Sequence, residues 1–311
     1  MDFLRPTWAE IDLDALRHNL SEVRRVAGDA SILAVVKADA YGHGVAGVVP
    51  ALARAGVDLF GVALVEEGIE LRQLEVRHPI LVMGGVPPGA ESALLEHDLQ
   101  PMVGDVSAAR RLDAAAGAAG RKLVCHLKVD TGMGRLGVRI EQLDQLLASL
   151  GEMAHLDIAG VMSHLAVADE PERSFTALQV QRFRDVVARV EASGFRPRFR
   201  HLANSAGIFS LEADVSNLVR PGIVLYGGLT GPFFDQSVSQ RPVMKLISHI
   251  AYLKEMQTGE GVSYGHRFTA TRPSLIAAVP IGYADGYNRQ LSGRGEVLVH
   301  GRRAPVAGTV C

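Results

Sequence analysis

Short apolar runs alternate with amphipathic helical stretches along most of the chain, and this alternation restricts the fold more than any other feature of the sequence. Helical stretches such as Val45–Ala55 and Phe175–Ala192 separate most of the runs. The runs predict eight strands, at Ile32–Val36, Leu59–Ala63, Ile80–Met83, Pro101–Val103, Leu123–Val129, Leu156–Met162, Phe199–Leu202 and Leu218–Tyr226. Eight strands separated by helices are typical of an α/β fold of the (β/α)₈ TIM-barrel type, whereas a doubly wound sheet normally has fewer strands in one domain.

The pattern changes near residue 230, where Gly231-Pro232 and Arg241-Pro242 indicate a loop. Beyond it, strand-like runs at Leu246–Leu253, Ser274–Val279 and Glu296–Val299 lie between Gly-rich turns. We therefore predict a barrel domain over residues 1–238 and a mostly-β C-terminal domain over residues 239–311. Because the sequence ends inside a strand-like run, we expect this second domain to be incomplete.

Composition excludes several classes of function. With 32 Lys and Arg against 34 Asp and Glu, the net charge is −2, which offers no basic surface for nucleic acid or an anionic membrane. The two cysteines, Cys125 and Cys311, form no C-x-x-C pair, so we expect neither a disulfide framework nor a metal site. The N-terminus has no signal-peptide pattern, and no apolar run approaches the ~18 residues of a membrane span. These features predict a cytoplasmic globular protein.

Polar side chains follow several predicted strands at their carboxyl ends, where barrel enzymes place their active sites. Each of them alone is more often a solvated loop residue, but their common position on one rim favours a site for an anionic ligand. They are Lys37, Asp130, Arg135, Ser163, His164, Asn204, Ser205 and Arg220.

One motif offers an alternative function. The segment from Gly132 to Gly137 fits the G-x-G-x-x-G pattern of dinucleotide-binding loops, and Asp157 follows twenty residues after Gly137. The pattern is weak evidence here, because it lies in the fifth unit of the chain and follows a strand that carries His126 and Lys128.

Lys37 is the more informative residue, because it lies between an apolar strand and a Gly-rich loop. Partial desolvation at such a position disfavours the charged amine and leaves a nucleophile that can form a Schiff base with a carbonyl cofactor. The alternative is a strand-end lysine that extends into solvent.

The sequence around Lys37, Val35–Gly44, resembles the pyridoxal-phosphate attachment motif of alanine racemases of fold type III. The resemblance extends in order along the whole chain and implies a (β/α)₈ barrel followed by a β domain. The other segments that carry it are Lys128–Gly137, His201–Ala206, Arg220–Gly227, Val262–His266 and Pro280–Tyr287.

The resemblance implies an isomerase that interconverts L-alanine and D-alanine, with D-alanine supplied for peptidoglycan. Lys37 would bind pyridoxal 5'-phosphate as an aldimine and act as one base, and Tyr264 of the partner subunit in a homodimer would be the other. His164 and Arg220 would supply a positive field that lowers the pKa of that tyrosine.

The remaining roles are also implied by the resemblance. Tyr41, Ser205 and the backbone N–H groups of Gly222 and Ile223 would bind the cofactor phosphate, with help from the helix that begins at Ser205. Among the other matched positions, His164 and Asn204 would contact the cofactor, and Arg220 would face its ring nitrogen. Arg135 would bind the substrate carboxylate, and Tyr283 would narrow the entrance to the site. Lys128 would be the lysine that can be carbamylated.

Other functions remain open at this point. A racemase for serine or for a broader range of amino acids is compatible with the same residues. A non-catalytic pyridoxal-phosphate-binding protein is disfavoured by the segment Val262–His266, and a related decarboxylase is disfavoured by Arg220.

Overall fold

The computed structural model describes residues 4–228 and 238–311, and contacts among them divide the chain into two compact units. The larger unit runs from Asp12 to Val243. The described part of the smaller unit consists of residues 4–11 and 244–311. Residues 229–237, which include the predicted loop at Gly231-Pro232 and lie just before the predicted boundary at 238, are outside the described residues.

The helices and strands are numbered in chain order. The strands are β1 (Thr7–Ile11), β2 (Ser31–Val35), β3 (Leu59–Val62), β4 (Ile80–Val82), β5 (Gln100–Val103), β6 (Leu123–Asp130), β7 (Val138–Arg139), β8 (Leu156–Met162), β9 (Phe199–His201), β10 (Leu218–Val219), β11 (Met244–Ser248), β12 (Tyr252–Met256), β13 (Gly261–Val262), β14 (Phe268–Thr269), β15 (Ser274–Ala278), β16 (Glu296–Val299) and β17 (Arg302–Pro305). The helices are α1 (Leu13–Ala27), α2 (Lys37–Gly42), α3 (Val45–Arg54), α4 (Val65–Gln73), α5 (Glu91–Glu96), α6 (Val106–Ala118), α7 (Leu143–Gly151), α8 (Ser174–Ala192) and α9 (Ser205–Ile208). Among the described helices, none combines the length and hydropathy that crossing a membrane requires.

The larger unit is built on parallel strands in the hydrogen-bonded order β10-β2-β3-β4-β5-β6-β8-β9, with the short β7 beside β6. The two ends of this order, β9 and β10, approach each other. Backbone hydrogen bonds from Asn217 to Arg200 (3.1 Å) and from Arg220 to Ala203 (3.0 Å) join the segments around them. The sheet is therefore a nearly closed eight-stranded barrel, which confirms the predicted fold class.

Two predicted strands differ from the structure. The run Leu218–Tyr226 forms a strand only at Leu218–Val219, and Ile223–Tyr226 is a 3₁₀ turn. Pro221 lies between them and lacks the N–H that a strand ladder needs, so the strand ends early. The run Leu246–Leu253, predicted as one strand, is divided between β11 and β12.

The inside of the barrel is filled by side chains that alternate along the strands. They are Leu33, Val35, Leu59, Leu81, Met102, Met162, Phe199 and Leu218. Tyr41, Met83 and Leu136 pack against this cluster. The barrel is therefore a packed core, and a ligand can reach only the ends of its strands.

The smaller unit is mostly β, as predicted. Its strands pair antiparallel as β1-β11, β12-β15, β13-β14 and β16-β17. The N-terminal segment belongs to this unit, because Arg5 forms a two-bond ion pair with Asp285 (2.7 and 2.6 Å) and Thr7 donates to the backbone oxygen of Pro280 (2.6 Å). The sequence pattern did not predict this pairing.

A substitution at Gly160 on β8 tests how tightly the inside of the barrel is packed. A Cβ atom there would lie 2.3 Å from Nδ1 of His126, a buried nitrogen that is hydrogen-bonded to Nε2 of His201 (2.9 Å). We expect Gly160→Ala to lower the free energy of unfolding by about 3 kcal/mol, because an overpacked and hydrogen-bonded neighbour cannot move aside. Urea denaturation measures the change.

Gly151→Ala is the matched control. No atom lies within 4 Å of a Cβ at Gly151, the last residue of α7, so the same substitution should not destabilise the chain and should raise the free energy of unfolding by about 0.4–1 kcal/mol. Equal effects of the two substitutions would contradict the tight packing around His126.

Candidate active site

Lys37 lies at the carboxyl end of β2 and begins α2, whose backbone is left-handed. The φ angles of Ala38, Asp39, Ala40 and Tyr41 are between 52° and 56°. An L-residue in this region costs roughly 1–2 kcal/mol, so consecutive ones require compensating bonds. The Asp39 carboxylate accepts a hydrogen bond from the N–H of Val45 (2.7 Å), which closes the turn at its far end.

The turn places the Tyr41 side chain beside Lys37 and against the barrel core. The Tyr41 ring centroid lies 5.9 Å from Nζ of Lys37 and 5.0 Å from the ring centroid of Tyr226. Tyr226 is buried, and its hydroxyl donates to the backbone oxygen of Val35 (3.1 Å). Burial raises the pKa of Tyr41, so its hydroxyl is a hydrogen-bond donor at neutral pH.

Arg220 is buried, and among residues 4–228 and 238–311 its guanidinium is held by backbone oxygens rather than by a carboxylate. It donates to the carbonyls of Ser163 (2.6 Å), His201 and Leu202 (3.3 Å). Burial lowers the pKa of Arg220 to about 10, which still leaves it protonated at neutral pH.

His164 is neutral, because Arg220 donates a hydrogen bond to its Nδ1 (3.2 Å) and this nitrogen must therefore be an acceptor. Burial, followed by the charge of Arg220, lowers the pKa of His164 to about 2. We expected both residues to supply a positive field for Tyr264. That expectation is wrong for His164: of the two residues, only Arg220 is charged at neutral pH.

Lys128 lies on β6 and is buried. Burial, and then the charges of Arg220 and Arg135, lower the pKa of its amine to about 7. The Asp130 charge acts in the opposite direction but is the smallest of these effects, and that carboxylate accepts hydrogen bonds from the N–H groups of Gly132 (2.9 Å) and Gly134 (3.1 Å). A large part of the Lys128 amine is therefore uncharged at neutral pH.

The Asp130 contacts shape the loop that carries Arg135. Gly132, Gly134 and Gly137 in this loop have φ angles of 139°, 69° and 110°, which other residues rarely adopt. The loop runs into β7 rather than opening a helix. A dinucleotide-binding fingerprint requires a helix N-terminus at this place, so the structure removes the support for that alternative.

A buried polar cluster connects this loop to the end of β8. The Thr131 and Ser163 hydroxyls are hydrogen-bonded (2.8 Å), and both side chains are inaccessible to solvent. Gln179 on α8 donates to the backbone oxygen of His164 (3.0 Å) and accepts from the N–H of Ala166 (2.9 Å). The cluster therefore holds the His164 backbone in one position.

Ser205 and Asn204 lie at the start of α9. The Asn204 side chain accepts from the N–H of Gly207 (3.0 Å), and the Ser205 hydroxyl accepts from the N–H of Gly222 (2.9 Å). No hydrogen bond within the described part of the chain engages the N–H of Ile223. Because α9 has only 4 residues, its dipole contributes little, and the attraction for an anion depends on these individual donors.

The barrel end contains a pocket with a volume of about 510 Å³. Among the residues that line it are Lys37, Tyr41, Lys128, Arg135, His164, Asn204, Ser205, Arg220, Gly222 and Ile223, all of which the sequence analysis assigned to the site. The pocket rests directly on the barrel core, because Val35 and Met162 belong to both. Its lining includes two lysines and two arginines but only one acidic residue, Asp169, which suits an anionic ligand.

Several lining residues were missed by the sequence analysis. Asp169 is separated from its strand by a loop, and Gly84 has no side chain that could indicate chemistry. Met83 and Leu136 are apolar and were indistinguishable from core residues.

Tyr264 and Tyr283 belong to the smaller unit, where both are mostly exposed (77% and 60%). The Thr309 hydroxyl donates to the backbone oxygen of Tyr264 (3.2 Å), and the N–H of Tyr283 donates to the backbone oxygen of Cys311 (3.3 Å). The segment 309–311 therefore fixes the backbone of both tyrosines.

The pocket contains the groups that pyridoxal phosphate requires. They are a half-buried primary amine at Lys37, a protonated hydroxyl at Tyr41, a backbone N–H at Ile223 that no described residue engages, and a buried guanidinium at Arg220. The residues present therefore fit the cofactor that the sequence resemblance implies.

Comparisons with known proteins agree with this chemistry. The family model described as "Alanine racemase, N-terminal domain" matches residues 11–230, and the model described as "Alanine racemase, C-terminal domain" matches residues 243–311. An alanine racemase of Geobacter sulfurreducens is 48% identical over 311 residues, which are 99% of this chain and 81% of that protein.

Solved structures are similar over the whole chain. The alanine racemase of D-cycloserine-producing Streptomyces lavendulae has a TM-score of 0.93 and 38% identity, covering 100% of this chain and 82% of that one. The alanine racemase of Bartonella henselae, solved with covalently bound pyridoxal phosphate, has a TM-score of 0.88 and 30% identity, covering 98% of this chain and 84% of that one.

The depressed pKa of Lys128 predicts a pH-dependent stability. The pKa is about 7 in the folded chain and 10.5 in an exposed lysine, so only the unfolded state binds the proton between these values. Wild-type stability should therefore rise with pH in this window relative to Lys128→Met. The stability advantage of Lys128→Met should shrink by about 1.4 kcal/mol per pH unit between pH 7.5 and 9.5.

Urea denaturation in buffer free of carbon dioxide measures this difference. Lys122→Met, at an exposed lysine before the same strand, is the control and should show no such slope. A constant difference between wild type and Lys128→Met over this range would mean that the Lys128 amine remains charged.

Proposed function

The chain belongs to the alanine racemase family, and we propose that it interconverts L-alanine and D-alanine with pyridoxal phosphate bound at Lys37. The main support is that the barrel residues assigned to cofactor and substrate line one pocket. Lys37 has the half-buried position that a covalent attachment site needs.

The proposed reaction uses two bases. When bound, pyridoxal phosphate withdraws electrons from the α-carbon of an attached amino acid, which makes the α-proton removable. The Lys37 amine takes or returns this proton on one face, and Tyr264 of the partner subunit does so on the other. Two opposed bases are required, because racemisation removes the proton from one face of the carbon and returns it to the other.

In this proposal, Arg220 determines how strongly the cofactor ring withdraws electrons from the substrate. A guanidinium donates hydrogen bonds and cannot accept one, and Arg220 stays protonated because its pKa is about 10. Facing the ring nitrogen, it would leave that nitrogen unprotonated. The proton then returns quickly to the α-carbon, which favours racemisation over transamination.

Other residues bind the charged groups. The Tyr41 hydroxyl and the Ile223 N–H donate to the phosphate, together with Ser205 and Gly222. Neutral His164 and Asn204 contact the cofactor, Arg135 binds the substrate carboxylate, and Tyr283 narrows the entrance. The positive lining of the pocket supports this distribution.

We further propose a homodimer in the cytoplasm with active sites shared between subunits. Tyr264 is largely exposed in this chain, which leaves its side chain accessible to a second subunit. The D-alanine product would supply peptidoglycan synthesis.

Proton exchange with solvent tests the two-base proposal. Proton NMR of L-alanine and of D-alanine, each incubated with the protein and pyridoxal phosphate in deuterium oxide, should show loss of the α-proton signal with inversion for both. Tyr264→Phe should keep cofactor binding but slow inversion by a factor of about 10²–10⁴, because it removes one acid–base group. Lys37→Ala should abolish covalent cofactor attachment.

Tyr252→Phe is the control for the tyrosine variant, since Tyr252 is also an exposed tyrosine of the smaller unit (65%). Inversion at the wild-type rate in Tyr264→Phe would exclude Tyr264 as a base. Cofactor binding without exchange of either enantiomer would instead indicate another amino acid substrate or a binding protein.

Lys128 is proposed to form a carbamate. Its amine nitrogen would attack carbon dioxide and release a proton to solvent, and the resulting anion would lie near Arg135, whose charge already acts on Lys128. Incubation with ¹³C-bicarbonate should give a carbamate carbon signal in wild type and in Lys122→Met. A signal that persists in Lys128→Met would place the carbamate elsewhere.

A further inference from the structure

Glu67 on α4 connects the segment after β3 to the segment after β2. Its Oε2 accepts hydrogen bonds from the N–H groups of Ala63 (2.7 Å) and Leu64 (3.1 Å), at the end of β3. Its Oε1 accepts from the N–H of Ala38 (2.7 Å), 29 residues away in sequence. One carboxylate therefore binds backbone groups on two neighbouring strand ends.

The hydrogen bond from Ala38 to Glu67 lies at the start of the left-handed turn, next to Lys37. Ala38 directly follows Lys37 and is the first residue of the left-handed turn. The oxygen of Val36, two residues before Ala38, accepts a hydrogen bond from the N–H of Ala40 (2.9 Å), whereas the N–H of Ala38 is bonded to Glu67. Glu67 thus supplies an acceptor from outside the turn.

The turn is held by carboxylates at both ends. Asp39 bonds to the N–H of Val45 at the far end, but Asp39 is part of the turn and moves with it. Of the two carboxylates, only that of Glu67 connects the turn to a different strand, β3. Without it, the torsions between Lys37 and Tyr41 can return to the right-handed or extended regions that L-residues prefer.

We propose that Glu67 is a positioning residue that sets the placement of the Lys37 amine relative to the Tyr41 hydroxyl by fixing the left-handed turn to the end of β3. The inference rests on the proposed function, in which one cofactor is attached at Lys37 and binds through its phosphate at Tyr41. A ligand that uses both residues depends on their relative placement, whereas a ligand that uses Lys37 alone does not.

Two probes separate these cases. Pyridoxal phosphate engages both residues, and pyridoxal, which lacks the phosphate, engages only the amine. Dissociation constants of both are measured by absorbance titration of the full chain, and borohydride trapping with peptide mass spectrometry locates the attached lysine. In wild type, we expect trapping at Lys37 and a large preference for pyridoxal phosphate, because the phosphate adds contacts.

Glu67→Ala should lower the ratio of pyridoxal-phosphate affinity to pyridoxal affinity at least tenfold. Glu67→Gln should lower it less, since an amide keeps one acceptor while its NH₂ group faces backbone N–H donors. Glu66→Ala, at the exposed preceding residue of the same helix, is the matched control and should leave the ratio unchanged. Thermal unfolding of each variant is measured in parallel.

The outcomes distinguish the two proposals. An unchanged ratio in both Glu67 variants, with or without a loss of thermal stability, would mean that Glu67 has only a structural role. If Glu67→Ala does not fold, the ratio in Glu67→Gln decides. Failure to trap either probe at Lys37 in wild type would overturn the proposed function, and this inference with it.

Discussion

Within the described part of the chain, the buried Arg220 guanidinium has no carboxylate partner, and its charge influences the charge states of its neighbours in the pocket. A buried charge is tolerated only when strong dipoles replace water, and here the backbone oxygens of Ser163, His201 and Leu202 do so. These oxygens come from the ends of β8 and β9, so the near-closure of the barrel beside β10 is what assembles them. After burial itself, the Arg220 charge is the next cause that lowers the pKa values of His164 and Lys128.

Local periodicity predicted most of the barrel, because its parallel strands are buried on both faces and appear as apolar runs. It failed where backbone conformation depends on contacts distant in sequence. The left-handed turn after Lys37 is stabilised by Glu67, which no local pattern connects to it. The pairing of β1 with β11 joins segments that are far apart in the chain, and the break between β11 and β12 lies within one strand-like run.

The residues that line the candidate site were easier to predict than the residues that hold them in place. Polar residues directly after apolar strands are visible in the sequence, and barrel topology brings strand ends together. Supporting residues such as Gln179 and Tyr226 lie on other elements and act through backbone oxygens. A signal for Gln179 existed: it occupies a buried position on α8, one turn before Phe183, where an apolar residue is normal. A polar side chain at such a position must find partners, so it marks a network.

The same electrostatic field explains why Lys128 suits the proposed carbamate. Carbon dioxide reacts with a neutral amine, and burial together with the Arg220 and Arg135 charges lowers the Lys128 pKa to about 7, so that the neutral form is available. Once the carbamate forms, the sign of the interaction reverses, and the charges that repelled an ammonium attract an anion. The Asp130 charge opposes both effects, but it is the weakest of the charges that act on Lys128, and the N–H groups of Gly132 and Gly134 hold its carboxylate in the loop. One arrangement of charges therefore favours both the reactive amine and its product.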